Sequence, residues 1–386
     1  MNIIYNKFLM VTSSDNYNSI LQEYASNQTN YRGRFYPEKT SFYRSEYQRD
    51  RDRIIHCSSF RRLKHKTQVF VYHEGDHFRT RLTHSLEVSQ ISRSIARHLG
   101  LNEDLCEALS LAHDLGHTPF GHAGEDVLSE CMSKYDGFDH NIQSLRILLL
   151  LENIYEDYSG LNLSINCIDG LLKHNGPVKN EKKTLLLIPE LNAYDLNFKT
   201  NSSLESQISS LSDDIAYNNH DIDDGLRANF FSIDDLKEIP LLKKLIFEVY
   251  QSSSTKNNYK LVRRLIDYMV TDLIENSKKN INLYKISNIN DVYNSNQFII
   301  NFSEPVKQLI KDIRDFLFMN MYKHSHIQNW SERSKVIIEK LFSYYQNNYQ
   351  KISDKFKNKF SKERNISDYI SGMTDKFAID TYNTIK

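Results

Sequence analysis

Apolar residues recur at helical spacing along most of the chain. In RLTHSLEVSQISRSIARHLG they fall at Leu82, Leu86, Val88, Ile91, Ile95 and Leu99, and Gly100 follows the last of them, so the spacing predicts an amphipathic helix with a glycine stop. NEDLCEALSLAHDLG predicts a second helix, with Asn102 as its cap and acidic residues in its first turn. DHNIQSLRILLLLENIY predicts a third, and SLESQISSLSDDIAYNNHDIDDGLRANF a long fourth that could bend. In SFYRSEYQRDRDRIIHCSSFRRLKHK, residues 41–66, a helical reading turns Ile54, Ile55, Phe60 and Leu63 inward and the many charges outward. TQVFVYHEGDHF is the only good β signal before residue 180, a short strand pair turning at Glu74–Gly75.

The remaining pattern divides the chain into three stretches. Residues 1–66 read as an N-terminal arm, polar and turn-rich to about residue 40, followed by the basic helix. Residues 67–230 hold the strand pair and the apolar helices. Residues 231–386 are helical again, interrupted by the Asn-rich segment 275–302, which reads as a linker or peripheral loop. The pattern shows no internal repeat and no long heptad run. The expected fold is mostly α.

Composition narrows the class. The 386 residues carry 49 basic and 49 acidic side chains, 40% apolar and 12% aromatic residues, which suits a folded globular chain and argues against broad electrostatic adhesion to nucleic acid. Cys57, Cys106, Cys131 and Cys167 form no CxxC pair and read as reduced, buried thiols. The apolar run at the start is too short for a signal peptide and nothing later approaches a membrane span, so the expectation is a cytoplasmic protein with no membrane partner.

One stretch breaks the apolar pattern. SLAHDLGHTPFGHAGE, Ser110 to Glu125, ends a helix rich in leucine and alanine with three histidines, an Asp and a Glu. Burying such groups costs several kcal/mol unless they are paired or coordinated. His113 and Asp114 are neighbours, about 100° apart on a helix, yet at its last turn both can converge on a point just beyond the end. A divalent ion there would neutralise the Asp and take a neutral imidazole as ligand. His84, inward on the preceding helix beside Leu86 and Val88, is the natural third ligand, and Asp213 in SLSDDIAY the natural fourth. Gly116, Pro119, Gly121 and Gly124 then turn the chain so that His117, His122 and Glu125 swing back towards the metal. His122 and Glu125 are three apart and share a helix face; a carboxylate on an imidazole fixes its tautomer and suits it to proton transfer. Arg81 lies three before His84 on the same face, and a guanidinium suits phosphate oxygens.

The joint order H…HD…D resembles the HD-domain phosphohydrolases. More closely, the chain looks like the deoxyguanosine triphosphate triphosphohydrolase-like (dGTPase-like) family, in the blocks YRSEYQRDRDRIIHCSSFRRLKHKTQVF, RTRLTHSLEVSQI, LAHDLGHTPFGHAGE, FDHNIQSLRIL, GLLKHNGP, LSDDIAYNNHDIDDGLRA and DYISGMTDKFA. The resemblance implies an HD-domain helical core with the small β-hairpin and additional C-terminal helices. It makes His84, His113, Asp114 and Asp213 the metal ligands, with Asp214 the alternative to Asp213. Such a set suits Mn²⁺ or Mg²⁺, then Co²⁺, Fe²⁺ or Ni²⁺, better than a closed structural zinc. It makes His122, supported by Glu125, the general acid/base, and His117 and His140 phosphate-contacting neighbours. Arg81 remains the cation of choice for the triphosphate. Gln68 would reach the nucleoside, Tyr217 the phosphates or sugar, and Asp221 a sugar hydroxyl; Tyr217 and Asp221 follow Asp213 by four and eight, on one helical stripe.

The implied reaction is dNTP plus water giving deoxynucleoside and intact triphosphate. The implied partners are a dNTP substrate, a dNTP or single-stranded DNA effector, and further copies of the chain in a homo-oligomer. Two other readings stand beside it. One is an HD phosphohydrolase for nucleoside monophosphates; the arginine-rich segment ahead of His84 speaks for a triphosphate instead. The other is a nucleotide-sensing or single-stranded-DNA-binding regulatory protein with little catalysis, in which a ligand or the His–Glu pair would be expected to be missing.

Overall fold

In the computed structural model, residues 21–69, 78–250 and 258–385 are described. Helices α1 (Glu46–His56), α2 (Ser58–Arg62), α3 (Arg81–Leu99), α4 (Glu103–Ala112), α5 (Gly121–Cys131) and α6 (His140–Arg146) come first. They are followed by α7 (Ile165–Leu172), α8 (Glu181–Leu187), α9 (Leu204–Arg227), α10 (Pro240–Tyr250) and α11 (Asn258–Leu283). The C-terminal part contributes α12 (Ile289–Asn294), α13 (Glu304–Leu317), α14 (Ser325–Asn347), α15 (Lys362–Ser371) and α16 (Asp375–Thr384). The expected predominance of helix holds. The strand pair at 67–78 falls largely on residues 70–77, outside the described residues. Among those described there are isolated bridges but no strand, one of the bridges pairing Thr67 with Thr80 across that gap.

Local chemistry sets the ends of the helices that carry the site. Gly100 closes α3 at φ 67, a left-handed turn that glycine adopts without a Cβ clash. Asn102 then caps α4 through the Leu105 amide. Ser45 and Gln48 exchange side-chain and backbone bonds at the start of α1. The basic helix expected over 41–66 breaks at Cys57, whose extended backbone ends α1 and whose sulfur caps α2. Ile54, Phe60 and Leu63 are buried as expected, but Ile55, one position on from Ile54 along α1, faces outward at 37% exposure. Leu86, expected inward, is also exposed, because α3 buries the stripe of His84, Val88, Ile91 and Ile95.

Three apolar clusters hold the helices together. The first joins Val88, Ile91 and Ile95 of α3 to Ile208 and Ile215 of α9, Leu265 and Met269 of α11, and Leu309 and Ile313 of α13. The second packs Ile54, Phe60 and Leu63 on Leu105 and Leu109 of α4 and Ile168 of α7. The third packs α5 (Val127, Leu128) on α14 (Ile338, Leu341) and α15 (Ile366, Ile370). Each fully buried Leu or Ile is worth about 1.5–3 kcal/mol. The first cluster joins helices from both sides of residue 230.

The Asn-rich segment 275–302 departs from the loop expectation. Helix α11 runs on to Leu283, burying Leu273, Ser277 and Ile281 along one face, and Ile286, Val292, Ile299 and Phe302 are buried beyond it. The asparagines serve the backbone: Asn276 and Asn280 donate to the carbonyls of Asn301 and Ile299, and Asn288 caps α12. Polar composition here marks satisfied turns on a core segment. The cysteines are unpaired, with Cys57, Cys106 and Cys167 buried and Cys131 half-buried. Among the described residues, no helix is long and apolar enough to cross a membrane.

Candidate active site

Helices α3, α4 and α9 bring three side chains to one point. His84 Nε2 lies 2.9 Å from Asp213 Oδ1. His113, at the C-terminal end of α4, places its Nδ1 2.6 Å from the Ser110 carbonyl. A carbonyl only accepts, so the neutral ring carries its proton on Nδ1 and leaves a lone pair on Nε2. That Nε2 is buried and without a hydrogen-bond partner, 3.5 Å from Asp114 Oδ1 and 3.6 Å from Asp213 Oδ1. A lone pair facing two carboxylate oxygens is repulsive unless a cation lies among them. The donor set fits a divalent ion: ligand atoms of His84, His113 and Asp213 lie within 4.8 Å of one another and could hold one, and Asp114 Oδ1 faces the same His113 nitrogen. The same field acts on a proton: burial works against charge on His113, but Asp114 and Asp213 outweigh it and raise the ring to about 9.

Asp214 is turned elsewhere. Its Oδ1 accepts from Arg314 at 2.7 Å and the side chain is exposed, so Asp213 is the carboxylate that faces the histidines. Two further histidines, which the sequence reading left without a role, stand against this centre. His174 stacks on His113 with ring centroids 5.6 Å apart, and its Nε2 is 3.9 Å from Asp213 Oδ2. His220 lies with its Nδ1 3.4 Å from that of His84 and its Nε2 3.1 Å from Glu87. A signal for His220 existed: it follows Asp213 by seven residues, two helical turns, on the same face.

Arg81 is buried and donates to Asp114 Oδ2 at 2.9 Å, while its Nε and Nη2 have no partner. Despite burial, Arg81 with His113 and His117 holds the Asp114 carboxyl well below the usual range. The expectation placed Arg81 towards phosphate; it sits on the carboxylate, with donors to spare.

The turn after α4 leads to a second group. His117 Nε2 is 3.1 Å from Asp114 Oδ1, which links this group to the metal-type centre. Burial and the positive charge of Arg81 drive its pKa well below 6.5, so the ring is neutral. Glu125 Oε1 accepts from His140 Nδ1 at 2.7 Å and from the His140 amide at 3.0 Å. His122 lies 3.6 Å from Glu125 Oε2 and is 61% exposed. Glu125 thus grips His140 first and reaches His122 only loosely, because α6 delivers His140 from the far side of the turn, a neighbour that residue spacing along α5 does not reveal. The rings of His117 and His140 stack at 4.0 Å.

Beyond His122 opens a cavity of about 370 Å³, the size of small-ligand sites, lined by Gln68, Val69, Phe120, Tyr217, Tyr322 and Trp330 among others. Gln68 Oε1 is buried there without a partner. Tyr217 lies one turn beyond Asp213, and Tyr322, which the sequence reading did not identify, bonds to it at 2.7 Å and donates a short bond to Asp221. Tyr322 reaches them from a π-turn that continues α13 over Phe318–Tyr322; no residue pattern before α13 pointed to it.

Burial pushes Asp221 up to about 8 from its ordinary 3.8, which the Tyr322 bond only partly opposes. The fold therefore keeps a proton that the unfolded chain releases, and the stability this contributes is complete below about pH 4 and lost as pH rises through 8, at up to about 1.4 kcal/mol per pH unit. Asp221→Asn mimics the protonated acid. Its urea midpoint is expected to fall less than that of the wild type between pH 5 and 8, and parallel midpoints would mean that Asp221 is ionised in the fold.

Residues 81–218 match the HD domain and residues 300–384 the phosphohydrolase-associated domain. The helical bundle is thus that of an HD-domain phosphohydrolase. The chain is 51% identical to a deoxyguanosinetriphosphate triphosphohydrolase-like protein of Pelagibacter ubique, over 90% of this chain and 95% of the other. It is 45% identical to the protein of that name from Rickettsia felis (95% and 98% covered) and 44% to that of Bartonella henselae (93% and 94%). The chain belongs to the deoxyguanosinetriphosphate triphosphohydrolase-like family.

Proposed function

We propose that the protein hydrolyses deoxynucleoside triphosphates to deoxynucleoside and inorganic triphosphate, using a divalent cation, Mn²⁺ or Mg²⁺, held by His84, His113, Asp114 and Asp213. The observation that carries this reading is the orphaned Nε2 of His113 between two carboxylates, one of which, Asp213, lies one helical turn before Tyr217 of the 370 Å³ cavity. A bound divalent ion would supply Lewis-acid polarisation of the α-phosphate and a more acidic water.

The chain's own residues do the rest. The unpartnered donors of Arg81 are available to phosphate oxygens, and neutral His117 fixes Asp114 through its Nε2. His140 is raised, against burial, by its bond to Glu125, which favours a cationic ring beside the phosphates. Water attacks the α-phosphorus and the bond from phosphorus to the 5′ oxygen breaks; His122, exposed to the cavity, takes the proton that the water gives up and passes it to the leaving 5′ oxygen. Gln68 meets the nucleoside, and Tyr217 and Asp221 the sugar.

The test incubates the protein with each dNTP, alone and mixed, in Mn²⁺ or Mg²⁺. Deoxynucleoside and intact triphosphate are expected, with His122→Ala about a hundredfold slower or worse. Turnover confined to the mixture would add a nucleotide effector. Binding of dNTP or DNA without turnover would overturn the enzyme reading in favour of a sensor.

A further inference from the structure

The block DYISGMTDKFA lies far along the chain from every residue given a role above, yet it reaches the site. Asp375, the first residue of α16, is fully buried. Its Oδ2 accepts from the Thr67 amide at 2.9 Å and, in a short bond, from the Thr67 hydroxyl; its Oδ1 accepts from the Phe120 amide at 3.0 Å. Lys66, 1% exposed, donates from Nζ to the carbonyls of His117 and Ser371. These five contacts hold two segments together. One is the strap Lys66–Gln68, whose Lys66 carbonyl also accepts from the Arg81 amide at 3.3 Å. The other is the turn His117–Gly121, from which α5 and His122 start.

That turn needs holding. Phe120 and Gly121 are both left-handed, at φ 65 and 60, and Phe120 caps α5 without any side-chain bond of its own. A non-glycine residue in that region costs about 1–3 kcal/mol and persists only where its surroundings impose it. The Asp375 carboxylate satisfies the Phe120 amide in that conformation. The turn lies close against the strap: a Cβ on Gly121 would stand 3.3 Å from Arg81 Nη2 and 3.4 Å from the Gln68 carbonyl.

We propose that Asp375 and Lys66 form a positioning clamp by which the C-terminal helices set His117, His122 and Gln68 for the reaction. The clamp touches no substrate atom. It acts through the strap and the turn, so the family's two matched segments, 81–218 and 300–384, are joined at the site as well as through the core. The rate effect rests on the hydrolase reading; the geometric effect does not.

The test is Asp375→Asn in the full-length, Mg²⁺-loaded protein. An amide keeps the shape but sets an NH₂ against either the Thr67 or the Phe120 N–H. Two readouts are taken: kcat and KM for a dNTP per folded molecule, and the ring resonances of ¹³C-labelled histidines. A kcat lower by about tenfold or more is expected, the order that misplacement of reacting groups produces, with a smaller change in KM. The His117 and His122 resonances shift while that of His324, outside the clamp, does not. Unmoved His117 and His122 rings overturn the clamp whatever the rate does, and so does an unchanged kcat with moved rings. Should Asp375→Asn fail to fold, Lys66→Met, which keeps the apolar stem, is read in the same way. A wild type without turnover overturns the function proposed above, and the ring resonances then decide the clamp alone.

Discussion

Asp114→Ala is expected to lower dNTP turnover by about a thousandfold or more and to strip the protein of its divalent ion. The figure corresponds to the several kcal/mol of charge stabilisation that a metal contributes to such a reaction. Asp114 faces three partners at once: Arg81 at 2.9 Å, His117 at 3.1 Å and the lone pair of His113 at 3.5 Å. Its loss also leaves the Arg81 guanidinium buried with no acceptor, and breaking a buried pair from one side costs about 3–5 kcal/mol. Asp114→Asn separates the two effects, since the amide oxygen still accepts from Arg81 while the negative charge is gone. Metal content after dialysis and turnover should fall together in both variants, and stability mainly in the alanine one. Retained metal and turnover in Asp114→Ala would remove this residue from the centre.

A loss of stability as large, at a residue away from the site, is expected at Arg146. This residue ends α6 and is fully buried; its Nε and Nη2 bond both oxygens of Asp368 on α15, at 3.0 and 2.6 Å, and its Nη1 donates to the Leu187 carbonyl. The guanidinium also lies over the ring of Phe360, 4.3 Å from its centre. Arg146→Ala strands a buried carboxylate and opens a cavity, so a loss of about 3–5 kcal/mol is expected in urea unfolding. The double variant Arg146→Met, Asp368→Leu should recover most of it, because desolvating two charges costs nearly what their attraction returns. A loss under about 1 kcal/mol for Arg146→Ala would show that water reaches the pair.

Both predictions concern residues of opposite legibility. Asp114 was readable, because an HD pair ending an apolar helix is chemically out of place unless something coordinates it. Arg146 was not: in QSLRILLLL it is one cation beside a run of leucines, and the carboxylate that makes it essential lies more than two hundred residues away. The same division runs through the site. His84, His113, Asp114 and Asp213 stood out by residue type and helical phase, whereas nothing in the local spacing showed that His174 would stand against His113, Tyr322 line the cavity, or Asp375 bond Thr67 and Phe120.

Helix phase misled where tertiary packing decides which stripe is inward. Leu86 fits the apolar face of α3 by spacing and is exposed; His84, two positions earlier, is buried because α9 presents Asp213 to it. In 275–302 low hydropathy suggested a loop, yet α11 continues through it on the burial of Leu273, Ser277 and Ile281.

What the sequence by itself determined is the set of local events: helices where apolar residues repeat every three or four positions, their caps and glycine stops, and the histidines and carboxylates that cannot be buried alone. These depend on neighbours within a few residues, which the chain order specifies. What only the tertiary structure decided is which distant groups meet. Asp213 rather than Asp214 faces the histidines, Glu125 holds His140 before His122, Tyr322 joins Tyr217 and Asp221, and Asp375 bonds the turn that carries His122. Those pairings follow from how the helices pack, and packing depends on every side chain in the shared core at once.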